Sequence, residues 1–308
     1  MLEVRNLSLV LDTARILHQV SFRLKKGATY GILGQSGTGK SSLLNIISGH
    51  LAPSDGQIIC DGKLMPKAQH MLVPGYPDIA LVSASYHLDW NHSCKENIRE
   101  SILGWEIERR EQKIEEMLWH LKLHKVKDTK AKFLSEGEKQ RLAIARSLSN
   151  KPSWLLLDEP FGHQDLVNKI TLMHFMATTC KSHNIGMLLV SHDPQEIMMF
   201  CQKTAILDTK GKVTPFKTAV QSYFNLKNKA LSQLMGPVNV VKWKGSTISF
   251  RPNAYSICDD GIFLQLQDVY FNGMVYVHLF VTNIFEEVIL YNQNKLNNPI
   301  IIQPRFDD

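Results

Sequence analysis

The stretch that most restricts the fold runs from Thr29-Tyr30-Gly31-Ile32-Leu33 through Gly34-Gln35-Ser36-Gly37-Thr38-Gly39-Lys40-Ser41-Ser42. An apolar strand ends at Leu33, a glycine-rich loop follows, and Leu43, Leu44, Ile46 and Ile47 then recur at helical spacing. Gly34-x4-Gly39-Lys40-Ser41 satisfies the G-x-x-x-x-G-K-[ST] pattern in the strand, loop, helix order that gives the pattern meaning. Glycine lets backbone N–H groups turn towards an anion, and the helix start adds the positive end of its dipole. Gly34 through Ser42 are therefore the candidate phosphate-binding residues, with Lys40 reaching the β- and γ-phosphates and the Ser41 hydroxyl ligating Mg²⁺. The competing reading of such a loop is a flexible Gly-Ser-Thr turn.

A second run bears on that choice. Trp154-Leu155-Leu156-Leu157-Asp158-Glu159 is an apolar strand ending in two acids, the way a buried parallel strand brings carboxylates to the C-terminal edge of a sheet. Asp158 is the candidate Mg²⁺ residue, acting through water, and Glu159 the candidate base for an attacking water. Two acids after a strand also serve as helix caps, but a phosphate loop elsewhere in the chain favours the metal.

The rest of the 308-residue chain is 44% hydrophobic and 21% charged, which excludes disordered, collagen-like and coiled-coil classes and leaves room for two globular domains. Its five cysteines (Cys60, Cys94, Cys180, Cys201, Cys258) show no C-x-x-C spacing, so reduced thiols are expected rather than disulfides or zinc. Glu3, Arg5 and Asp12 break the apolar run at the N-terminus, so no signal peptide is expected. No run approaches the roughly 20 apolar residues of a membrane span, and any membrane role should be peripheral. Net charge is +6 overall, +8 before Leu231 and −2 after it, a balance compatible with nucleic acid, anionic lipid or nucleotide alike.

Before about residue 225, strand-like runs alternate with helical ones, as in an α/β domain with a largely parallel sheet. The segment 219–236 reads as helix and linker. After Gly236-Pro237, period-2 alternation takes over, with Ile262, Leu264 and Leu266 on one strand face, Val275, Val277, Leu279 and Val281 on the next, and a type I′ turn predicted at Asn272-Gly273. This tail should be a small antiparallel sheet or barrel.

Leu134-Ser135-Glu136-Gly137-Glu138-Lys139-Gln140-Arg141 resembles the signature motif of ATP-binding cassette proteins, Gly162-His163-Gln164-Asp165 resembles their D-loop, and Leu188-Leu189-Val190-Ser191-His192-Asp193 resembles the strand that delivers their switch histidine. With the phosphate loop and the Asp158-Glu159 strand, these motifs stand in family order over residues 2–215, and the resemblance is closest to the ATPase subunit of a transporter. It implies a P-loop NTPase sandwich with a helical subdomain (about 85–140) inside a cassette domain at 1–230, and a small all-β domain at 236–308. The latter is similar, through Phe250-Arg251-Pro252-Asn253, to the accessory barrel of importer ATPases.

The resemblance further implies ATP and Mg²⁺ as ligands and a head-to-tail homodimer. Ser135 and Gly137 would contact the γ-phosphate of the partner's ATP, His192 would orient the water with Glu159, and Asp165 would lie at the seam. A separate transmembrane permease is the implied partner, with the chain cytoplasmic and peripheral on the inner face of the plasma membrane. Import is favoured by the tail, and nucleic acid is not expected as a partner. Three positions depart from the family: Ala84 stands where glutamine is usual, Glu136 replaces the first signature glycine and should point away from the triphosphate, and Leu11 takes the place of the adenine-stacking aromatic. Two alternatives stay open on sequence: a soluble regulatory or nucleic-acid- or ribosome-associated cassette, and a cassette with impaired turnover.

Overall fold

The computed structural model describes residues 1–83, 85–162 and 164–305. The chain divides into two compact units, Met1–Ala219 and Val220–Asp308. In chain order the first contains β1 (Leu2–Leu11), β2 (Ala14–Leu24), β3 (Thr29–Leu33), α1 (Lys40–Ile47), β4 (Asp55–Cys60), β5 (Lys63–Leu64), β6 (Ile79–Val82), α2 (Cys94–Ser101), α3 (Ile107–His120), α4 (Glu136–Ser149), β7 (Trp154–Asp158), α5 (Leu166–Ser182), β8 (Gly186–Ser191), α6 (Pro194–Phe200), β9 (Lys203–Ile206) and β10 (Lys217–Thr218).

Two sheets organise this unit. One has strand order β10-β9-β3-β8-β7-β6, parallel except where β10 meets β9. The other is antiparallel, β2-β1-β4-β5, and is a layer that the sequence pattern alone did not separate from the parallel sheet. Its register slips three times along β1 and β2, between Val4 and Val10, which interrupts the period-2 signal.

One core joins the two sheets. Leu43, Leu44, Ile46 and Ile47 of α1 pack with Leu2, Val4, Leu7 and Leu17 of the antiparallel sheet and with Trp154, Leu156, Leu188 and Val190 of the parallel one. The alternate residues Leu155, Leu157, Met187 and Leu189 are buried on the opposite face, which explains why β7 and β8 read as unbroken apolar runs. Full burial contributes about 2 kcal/mol per Leu or Ile side chain, so α1 is held by its apolar face, and its N-terminus, without an acid in its first turn, is left for the site. Helices α2, α3 and α4 pack on one another, and α4 also packs on β6.

The second unit holds α7 (Ala219–Phe224, which opens at the last residue of the first), α8 (Lys229–Leu234), β11 (Asn239–Trp243), β12 (Ser246–Phe250), β13 (Tyr255–Phe271), β14 (Tyr276–Thr282), β15 (Glu287–Asn292) and β16 (Ile300–Pro304). A β11-β12 hairpin and a β15-β14-β13-β16 sheet enclose a core of Val241, Phe250, Ile262, Leu264, Phe280, Leu290 and Ile302. Two expectations fail here. On β14 the buried residues are His278, Phe280 and Thr282, while Val277, Leu279 and Val281 are only half-buried, because both faces carry apolar side chains and the pairing His278↔Leu290 and Phe280↔Val288 turns the other set inward. The two-residue turn with both central residues at positive φ is Lys244-Gly245, not Asn272-Gly273. Phe271 pairs with Tyr276, so four residues form the second turn, and the Asn272 carboxamide accepts from the Met274 and Val275 N–H groups.

Candidate functional site

Register brings the chemistry to one edge. In the parallel sheet Leu33 of β3 is opposite Ser191 of β8, and Val190 is opposite Asp158 of β7, so all three strands end together. The phosphate loop, the Asp158-Glu159 pair and the His192 turn leave the sheet side by side at its C-terminal edge, where open α/β sheets bind ligands.

The loop is closed by its own contacts. The Gly34 N–H donates to the Ser191 carbonyl at 3.2 Å, and the Thr38 hydroxyl donates to the Gln35 carbonyl at 2.9 Å. Gly39 caps α1 with φ 95°, and a Cβ there would lie 2.7 Å from Ile16, so both backbone and space require glycine. Gln35, Ser36, Gly37 and Ser41 are exposed, Gly39 and Ser42 are half-buried, and Gly34, Thr38 and Lys40 are buried. The Lys40 ammonium donates to the carbonyls of Gly34 (2.9 Å) and Gln35 (3.0 Å), and its third neighbour is Glu159 Oε1 at 3.5 Å.

Glu159 joins two of the expected participants. Its other carboxylate oxygen lies 2.9 Å from His192 Nδ1, and its backbone, tied to the Val190 carbonyl, sits at φ 47°. A left-handed glutamate stores about 1–2 kcal/mol, a cost tolerated where side-chain aim matters. Asp158 is different in kind. Burial pushes its pKa up against a lowering hydrogen bond from Ser41, and the neighbouring Glu159 charge adds to the rise. Its Oδ1 is buried without a hydrogen-bond partner. An orphaned carboxylate oxygen beside a serine hydroxyl is a donor set for a hard divalent cation, and these residues fit Mg²⁺.

A cavity of about 610 Å³ runs from Ser41, Asp158, Glu159 and Gly162 to Tyr86, Glu136, Gly137 and Gln140. Ser135 caps α4 and forms a capping box with Glu138, which the S-x-x-E spacing encodes. Glu136 accepts from Lys139 at 2.7 Å and from the Tyr86 hydroxyl at 3.2 Å, which pulls its pKa down, first through Lys139. Tyr86 has no sequence signal for this contact, since 50 positions separate the partners. Asp165 caps α5 through the Asn168 N–H. Leu11 is exposed at the end of β1. Ala84 and His163 lie outside the described residues.

Comparisons with known proteins agree with this geometry. The sequence profile of a family described as ABC transporter matches residues 17–162. The glucose import ATP-binding protein of Saccharolobus solfataricus is 30% identical over 248 residues, which are 78% of this chain and 69% of that protein. The putrescine transport ATP-binding protein of Escherichia coli is 30% identical over 78% of this chain and 63% of its own length. The spermidine/putrescine import ATP-binding protein of Trichodesmium erythraeum is 30% identical over 77% of this chain and 62% of its own. The chain thus spans about two thirds of the length of these relatives. Among solved structures, an ATP-binding cassette determined as a dimer in a post-hydrolysis state with ADP and phosphate has the same fold, with TM-score 0.63 and 24% identity over 71% of this chain and 99% of that one.

Proposed function

The chain belongs to the ABC transporter family, and from that premise we propose that it is the ATP-hydrolysing subunit of an importer, pairing head to tail with a second copy on ATP to drive a separate permease. The observation that carries the reading is the convergence of Lys40 and His192 on the two carboxylate oxygens of Glu159, beside the unpartnered oxygen of Asp158, at a single sheet edge.

Each residue has a task in that reading. Lys40 exchanges the Gly34 and Gln35 carbonyls for phosphate oxygens, and the N–H groups of the loop and the α1 N-terminus take the remaining charge. Ser41 and Asp158 would hold Mg²⁺, which supplies charge neutralisation on the phosphates. Release of Glu159 from Lys40 frees its carboxylate to accept a proton from the attacking water, with His192 Nδ1 fixing its orientation. Ser135 and Gly137, at the N-terminus of α4, present N–H groups suited to the γ-phosphate of the opposite copy's nucleotide. Glu136 is drawn aside by Lys139 and Tyr86, so its charge does not oppose that contact.

No helix among the described residues is long and apolar enough to cross a membrane, and the reading of the permease as a separate chain is supported by relatives named as import ATP-binding proteins. A peripheral position on the inner face of the plasma membrane follows from that partner. Relatives of equal identity are named for glucose and for polyamines, which supports reading the solute as chosen by the partners. The test is steady-state ATPase activity with Mg²⁺, together with light scattering of the protein in MgATP. Glu159→Gln should lower kcat about a hundredfold or more and accumulate an ATP-bound dimer. Absence of both turnover and nucleotide-dependent dimerisation in the unsubstituted chain would sink the reading.

A further inference from the structure

A partly buried ion pair links the turn that presents His192 to the helix capped by Asp165. Lys169 stands one turn into α5, where its N–H donates to the Asp165 carbonyl and its ammonium lies 2.7 Å from Glu196 Oε1. Glu196, 7% exposed, occupies the first turn of α6, and its second oxygen accepts from the Ser191 hydroxyl at 2.6 Å. The Ser191 oxygen in turn accepts from the Asp193 N–H at 3.0 Å. Ser191 is 1% exposed and is the last residue of β8. One carboxylate therefore holds Ser191, whose hydroxyl holds the Asp193 N–H on the other side of His192, and reaches across to α5.

We infer that Lys169 and Glu196 are positioning residues for His192, coupling its turn to the Asp165 end of α5. The inference rests on the reading of His192 as a participant in ATP hydrolysis. A plain staple between two helices would need only the ion pair. Here the carboxylate divides its oxygens, one to α5 and one to the serine that holds the histidine turn, and the Lys169 side chain joins these bonds to the first turn of α5 beside Asp165. Both charges are largely shielded from water, so a shift of α5 by a fraction of a hydrogen-bond length is felt at Glu196 and passed to Ser191. A second copy meeting Asp165 would then set the aim of His192 at the Glu159 carboxylate.

The test measures kcat, KM for ATP, affinity for a fluorescent ATP analogue and the unfolding midpoint for Lys169→Met, Lys169→Arg, Glu196→Gln, Ser191→Ala, His192→Ala and the pair His192→Ala/Glu196→Gln. Misplacement of a positioned group lowers kcat about tenfold or more, so Lys169→Met and Glu196→Gln should do so while KM and analogue affinity stay within about twofold. Lys169→Arg should retain activity. In the His192→Ala background, Glu196→Gln should cost nothing further, since two residues acting through one group are not additive. Additive losses in that background, or unchanged kcat with a lowered unfolding midpoint, would overturn the inference.

If an unpaired charge prevents folding of the single variants, Lys169→Met/Glu196→Gln removes both charges. A normal midpoint with kcat still reduced supports positioning, and full activity overturns it. Turnover that responds to His192→Ala but not to Lys169 or Glu196 overturns this inference alone, whereas an unsubstituted chain that neither turns over ATP nor dimerises with it overturns the functional reading as well.

Discussion

Asp158 shows how far single residues could be read in advance. Its place after an apolar strand was visible as a pattern, but the state of its carboxyl depends on burial that only the packed sheet supplies. Because its folded pKa lies above that of the unfolded chain, the ionised form is disfavoured by folding, and stability present at low pH is lost as pH rises through the folded value. Asp158→Asn should therefore raise the unfolding midpoint in chelator at neutral pH, by calorimetry, and abolish the further rise that Mg²⁺ and nucleotide should give the unsubstituted protein on the proposed reading. A lower midpoint in chelator would contradict the account. The phosphate loop was legible residue by residue because its glycines, lysine and serine carry local constraints, as Gly39 does through its φ and its contact with Ile16. The Tyr86–Glu136 contact was not legible, since it depends on how the turn after β6 meets the start of α4.

Elements were legible to the extent that their faces differ. Strands β3, β7 and β8 are buried on both sides and α1 on one, so their composition announced them. β14 misled because apolar residues stand on both of its faces and partner strands decided which set went inward. β1 and β2 were harder still, with slips in register and few cues that they form a layer of their own. What secures this pair at its open end is charge: Glu3 is buried at 4% exposure and its carboxylate meets the guanidinium groups of Arg5 and Arg23. The hydrogen bonds from Arg5 and then Arg23 pull its pKa from 4.5 down to about 2. A depressed carboxylate stabilises the fold above its unfolded pKa and is lost as pH falls, so acid should loosen β1 and β2 between those two values. Glu3→Gln should flatten the pH dependence of the unfolding midpoint in that window, and an unaltered acid limb would place the sensitivity elsewhere.

At the scale of the whole molecule, the change of patterning after Gly236-Pro237 suggests domains at 1–230 and 236–308, whereas the chain divides after Ala219, since Arg251 ties α7 and α8 to the second unit, and each unit encloses its own core. The second is organised around a residue whose role no periodicity betrays. Arg251 is fully buried, stacks over Tyr223 at 4.2 Å, and donates to the carbonyls of Tyr223, Ser232, Gly236 and Pro237, so it gathers α7, α8 and the following chain onto β12. Arg251→Leu should destabilise this unit by about 3 kcal/mol or more through carbonyls left buried and unpaired, and lysine should not rescue it because an ammonium cannot span the same fork of acceptors. Hydrogen exchange in β12 to β16 would register the loss, and unchanged protection there would refute it. In the first unit, Lys40 already holds a defined pose against Gly34 and Gln35. On the proposed reading, an incoming phosphate would swap acceptors on a side chain that is ordered beforehand, so little rotational freedom would be surrendered on capture. Arrival of the nucleotide would then be governed by encounter frequency, and the lifetime of the bound state, rather than the speed of association, is what substitutions in this loop should change.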